Sequence, residues 1–128
     1  MDRAETDDTI RLSVPARLEY LRIVRLTTSG VASRLGFDVD EIENLRVAID
    51  ELTSMAIDLS APGTLEVTFV TTDDELRVTG RAPVAPGRDV VIEDLTEQIL
   101  KAVSDDHELG TGDGFVTFSC ARRLPAAE

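Results

Sequence analysis

Asp40-Glu-Ile-Glu-Asn-Leu-Arg-Val-Ala-Ile-Asp-Glu-Leu-Thr-Ser-Met-Ala-Ile-Asp-Leu-Ser60 is the stretch whose reading decides the fold. Its apolar residues Ile42, Leu45, Ala48, Ile49, Leu52, Ala56 and Leu59 recur at three- and four-residue spacing, the period of one helical face. Asp40 is placed to cap the first turn, and Glu41 and Glu43 suit the positive end of the helix dipole. Pro62-Gly63 cannot continue the helix and sets its end near Ser60. A helix with one apolar face needs a surface to bury it, and the rest of the chain supplies a sheet.

Upstream, Ile10, Leu12 and Val14 alternate and predict a first strand over Thr9 to Val14. Pro15 then suits the opening turn of a helix whose buried stripe is Leu18, Leu21, Val24, Thr28, Val31 and Leu35. Arg17, Arg22 and Arg25 lie largely off that stripe, as residues of a solvated face or a contact surface would. Downstream, Leu65, Val67 and Phe69 alternate with polar positions, Thr72-Asp73-Asp74 turns, and Leu76, Val78 and Gly80 return, which predicts a hairpin with one buried face. Two prolines and a glycine make Arg81 to Val91 a loop. Asp94 opens a third helix with Leu95, Ile99, Ala102 and Val103 inward. Gly110 to Gly114 reads as a hairpin turn, and Phe115 to Arg122 as a last strand. The expected architecture is an α/β (α+β) two-layer sandwich. A mostly antiparallel sheet of about five strands carries three helices on one face. Residues 1–8 are expected to be a tail, 9–124 a single domain and 125–128 a second short tail.

The chain has 128 residues, the size of one domain, and a net charge of −12. So acidic a chain is poorly suited to direct nucleic-acid or anionic-lipid binding, whose affinity comes from basic residues. It suits a partner with a basic face. No apolar run approaches the ~20 residues of a membrane helix. The N-terminal residues are polar and acidic, unlike a secretory signal, so a cytoplasmic location is expected. Cys120 stands among alternating apolar residues and reads as a buried core thiol. His107, in Asp-Asp-His-Glu, reads as a solvated turn residue with no second histidine or cysteine near it for a metal site.

This element order, with Leu45-Arg-Val-Ala-Ile-Asp-Glu51, resembles the RsbW-like anti-sigma-factor serine kinases of the GHKL ATPases, the Bergerat fold, over nearly the whole chain from Ile10 to Leu124. In that family the central helix carries Glu-x-x-x-Asn. The resemblance places Glu51 at the catalytic glutamate and Met55 at the magnesium-holding asparagine. A thioether is a poor ligand for Mg²⁺, a hard cation that takes oxygen. The family's Asp-x-Gly-x-Gly loop follows the returning strand; here Ala82 stands at the adenine-reading aspartate and Val84 at the first glycine. The phosphate loop before the third helix has no glycine between Gly87 and Gly110, and instead carries Asp89, Glu93, Asp94 and Glu97.

By this resemblance the chain is a regulatory binding protein. It is expected to bind a sigma factor, a STAS-domain anti-anti-sigma partner or both, and to act in a stress response. The resemblance also implies a homodimer. With the asparagine, adenine aspartate and glycines replaced, no cofactor and no metal are expected, and Glu51 is a vestigial base. The alternative is an ATP-dependent serine kinase that phosphorylates its antagonist with ATP-Mg. Relatives bind partners through the first two helices, which makes Arg17, Arg22, Arg25, Asp38, Asp40, Glu41 and Glu43 the expected contacts.

Overall fold

The computed structural model describes residues 8–124. Its elements run β1 (Asp8–Pro15), α1 (Leu21–Leu35), α2 (Val39–Leu59), β2 (Thr64–Thr71), β3 (Glu75–Pro83), α3 (Asp94–Val103), β4 (Asp106–Gly112) and β5 (Phe115–Arg123), with a 3₁₀ turn at Leu18–Tyr20 before α1. The strands form one sheet in the order β1-β2-β3-β5-β4, and every neighbouring pair is antiparallel. The expected two-layer sandwich is therefore present. Of the expected tails, residues 1–7 and 125–128 lie outside the described residues, and Asp8 belongs to β1.

The central helix keeps its predicted span and face. Leu45, Ala48, Ile49, Leu52 and Ala56 are wholly buried, and they meet Leu65, Val67, Phe69, Leu76, Val78 and Val116 of the sheet, which are equally enclosed. Each of the leucine, isoleucine, valine and phenylalanine side chains among them contributes roughly 1.5–3 kcal/mol relative to an exposed one. The cap is corrected: Asp38, not Asp40, accepts the Glu41 N–H at 2.8 Å. The chain enters α2 two residues earlier than a cap at Asp40 would have it. Gly36, at φ +104°, ends α1 in the left-handed conformation, with its N–H donating to the carbonyls of Ala32 and Ser33.

Four further expectations are revised. Pro15 closes β1 rather than opening α1, because its partner Thr64 extends the β1–β2 ladder to that point. Leu18 is accordingly exposed, and the buried line of α1 is Val24, Thr28, Val31 and Ala32. On α3 only Leu100 is fully enclosed, while Leu95 and Ala102 are exposed, because this peripheral helix packs along a narrow line. The glycine-dense turn is tighter than read. Gly110 and Gly112 belong to β4, and Asp113-Gly114 alone make the bend, both at positive φ as a two-residue hairpin requires. His107 is a strand residue, half-buried, with Nε2 3.2 Å from Glu97 Oε2 on α3.

Gly80 of β3 faces Phe118 of β5 across the ladder. A Cβ at Gly80 would collide with the Phe118 ring, which fills that space. Cys120, also on the helix-facing side of β5, is fully buried, and burial pushes its thiol up from 9.0 to about 12.

Candidate functional site

The second half of α2 and the loop from Val84 to Glu93 frame the region where the resemblance places a nucleotide. Glu51 is half-buried and makes no hydrogen bond or ion pair among the described residues. One turn on, Met55 lines a cavity of about 260 Å³ with Asp58, Leu59, Arg88, Asp89, Val91 and Leu109. Glu51 does not line it. Backbone bonds tie the loop's start to the end of α2. Ala61 N–H donates to Pro83 O and Ala85 N–H to Leu59 O, each at 2.8 Å. Val84 N–H donates to Gly114 O at 3.0 Å. Val84 also forms a bridge to Ser60, so its backbone is engaged within the fold. Ala82, almost wholly buried in β3, offers only a methyl group. Across the cavity, Arg88 Nη2 donates to Asp58 Oδ2 at 3.0 Å and links loop to helix.

The chemistry of this lining differs from a triphosphate cradle. Its donors are one guanidinium, already paired, and its acceptors are carboxylates that repel phosphate. Asp94 and Glu97 occupy the first turn of α3, where a helix N-terminus would otherwise attract an anion. No group of three or more His, Cys, Asp or Glu side chains is arranged for a metal ion among the described residues. A cavity of about 260 Å³ also falls short of the roughly 300–1,000 Å³ of ordinary small-ligand sites.

The residues read as partner contacts divide. Arg17 is exposed, near Glu19 and the Tyr20 ring, and its Nη2 is 3.2 Å from the Tyr20 hydroxyl. Arg22 and Asp40 are exposed, and no ion pair joins them to another described residue. Asp38 is exposed and caps α2. Three others are committed within the chain. Glu41 accepts two bonds from Arg122 of β5, at 2.8 and 3.2 Å, with both side chains largely buried. Arg25 of α1 donates to Asp50 of α2 at 3.0 Å, and Arg46 donates to the other Asp50 oxygen at 3.2 Å. Arg46 also pairs with Glu43, and that hydrogen bond holds the Glu43 carboxyl below its ordinary value. The outer face of α1 presents Ile23 and Leu26, with Leu26 61% exposed, beside Arg22. Spacing could have found the Glu43–Arg46 and Arg46–Asp50 pairs. It could not have found Arg122 or Arg88, whose partners Glu41 and Asp58 are remote in sequence.

A five-stranded antiparallel sheet backed by three helices defines the chain as an α+β two-layer sandwich. Over 80 residues it is 39% identical to the serine-protein kinase RsbW of Bacillus pumilus, an alignment covering 58% of this chain and 49% of the relative. Over 75 residues it is 41% identical to RsbW of Bacillus subtilis, covering 56% and 47%. The chain spans about half the length of the curated relatives it matches. No family model matches it. Its fold matches a crystal structure of the RsbU and RsbW domains of a Mycobacterium tuberculosis protein, with TM-score 0.72 and 16% identity, covering 91% of this chain and 32% of that one. Over the aligned part its sequence is similar to the RsbW serine-protein kinases, and its fold is that of a structure containing an RsbW domain.

Proposed function

We propose that this protein is a cytoplasmic regulatory binding module that sequesters a sigma factor, is released by a STAS-domain anti-anti-sigma partner, and does so without nucleotide. The observation that carries this reading is the cavity beside Met55. Its volume, thioether, carboxylates and Arg88–Asp58 pair all disfavour ATP-Mg. The exposed Ile23, Leu26 and Arg22 on α1 support a protein contact there. The net charge of −12 suits a partner with a basic surface, because complementary charge speeds and orients encounter. No helix of the described residues is long and apolar enough to cross a membrane. A homodimer and a role in a stress response belong to the same proposal.

A serine-kinase reading is favoured by one feature: Glu51 retains the place of the family's catalytic glutamate, on a half-buried helix position with no competing partner among the described residues. Calorimetric titration with ATP-Mg separates the two, run beside co-purification with candidate sigma factors. The expected result is binding weaker than about 1 mM for both the native chain and Met55→Asn, with a sigma factor retained. Micromolar binding to the native chain overturns the first reading.

A further inference from the structure

The outer edge of β4 carries a feature that neither the cavity nor α1 explains. β4 ends the sheet, paired on one side to β5 alone. Among the described residues no backbone hydrogen bond reaches it from the other side. Sheet edges of this kind are templates for another strand, and proteins usually blunt them with charged side chains (lysine above all), proline or a bulge. At the opposite edge, β1 contains Arg11 and ends in Pro15. β4 is seven residues long and has neither lysine nor proline.

The side chains of β4 on the open face of the sheet divide into two kinds. Asp106 and Glu108 stand opposite Ala121 and Ser119, while Gly110 and Gly112 stand opposite Thr117 and Phe115. Asp106 is shared with Arg77 at 3.1 Å, whereas Glu108 is exposed and makes no ion pair among the described residues. At Gly110 and Gly112 an added Cβ would meet nothing within 4 Å. These glycines leave a side-chain-free strip beside Phe115, whose ring lies 3.7 Å under the Arg81 guanidinium. One end of the edge thus offers negative charge, and the other offers room next to an aromatic surface.

We propose that the free edge of β4 seats an extended segment of a partner protein, added as an antiparallel strand. Read from its N-terminus, that segment passes Gly112 first and Asp106 last. It therefore carries bulky side chains at two alternate positions, to cover the bare glycines against Phe115, and then basic side chains at the next two, to meet Glu108 and Asp106. Main-chain hydrogen bonds supply affinity, and the alternate side chains supply order and direction. Charge complementarity chooses this occupant over a second copy of so acidic a chain. The inference is independent of whether nucleotide binds and of which protein α1 contacts.

The test is an NMR titration of the amide-labelled full chain with the capped peptide Tyr-Thr-Tyr-Val-Arg-Val-Arg, and with the same residues in reverse order. Amide shifts are expected across residues 106–112, with the reversed peptide about tenfold weaker. The double substitution D106K/E108K, at exposed positions, should weaken the forward peptide by about tenfold or more with an unchanged circular-dichroism spectrum. Gly110→Val, which fills the bare strip, should weaken it as well. Equal affinity for the two orders, shifts confined to α1 and α2, or no binding of either peptide overturns the proposal. So does a concentration-dependent dimer that protects the β4 amides in the absence of peptide.

Discussion

The two halves of α2 are held by different means. From Glu41 to Asp50, four charged residues (Glu41, Glu43, Arg46 and Asp50) are each engaged in an ion pair, and two of those pairs reach other elements: Arg122 on β5 and Arg25 on α1. From Glu51 to Asp58 the same helix shows a carboxylate with no partner among the described residues, a thioether, and one pair to a loop. That pair is 45% exposed on Arg88 and 75% on Asp58, against 16% on each side of Glu41–Arg122. The buried, two-pronged pair orients helix on sheet, whereas the exposed one only tethers a loop. The half that holds chemistry in the resembling family is the half with the weaker fastening here.

At neutral pH, removing the Glu41 carboxylate should have the largest effect. Glu41→Ala leaves the Arg122 guanidinium largely buried without its acceptor, and should cost about 2 kcal/mol in urea unfolding. A cost under about 0.5 kcal/mol would place this pair with the exposed ones and erase the contrast. A pH effect on the strand beneath is absent at neutral pH and appears only in alkali. Cys120 lies two residues before Arg122 on the same face, and its thiol pKa is raised by burial from 9.0 to about 12. A raised native value gives stability that is whole below pH 9 and is lost as pH climbs toward 12, because only the unfolded thiol ionises there. The slope should be about 1.4 kcal/mol per pH unit within that window. Cys120→Ala should flatten it, and in the native chain the thiol should resist alkylation at neutral pH. Smallest of all, Arg88→Ala should change stability by no more than about 0.5 kcal/mol. It should nevertheless speed amide hydrogen exchange in residues 85–91. Unchanged exchange would mean that the backbone bonds from Ala61 and Ala85 hold the loop alone.

Where a periodic pattern met one buried face, the sequence could be read directly. The face of α2 and the β2–β3 hairpin follow from spacing, since burial repeats at three and four residues or at two. β4 was harder because Gly110 and Gly112 carry no side chains to alternate, so its last residues looked like turn. The start of α1 misled because proline suits both a strand end and a first helical turn, and only the pairing of Pro15 with Thr64 decides between them. The face of α3 depends on where the helix sits, which no local period reveals. In the candidate site, the positions of Glu51, Met55, Ala82 and Val84 came from the resemblance. Asp89 came with it, whereas the pairing of Arg88 with Asp58 came from a fold that brings distant segments together.

Gly80 and Phe118 carry a consequence for assembly of the sheet. The aromatic ring has room at one rung of the β3–β5 ladder only. Sliding β5 by two residues would preserve inside and outside but press the ring onto Val78 or Ala82, both of which have side chains in the way. A hydrophobic pattern of period two cannot by itself forbid such a slide. Here a missing methyl group acts as the keyhole, and the shape of that socket selects this register over one slid by two residues.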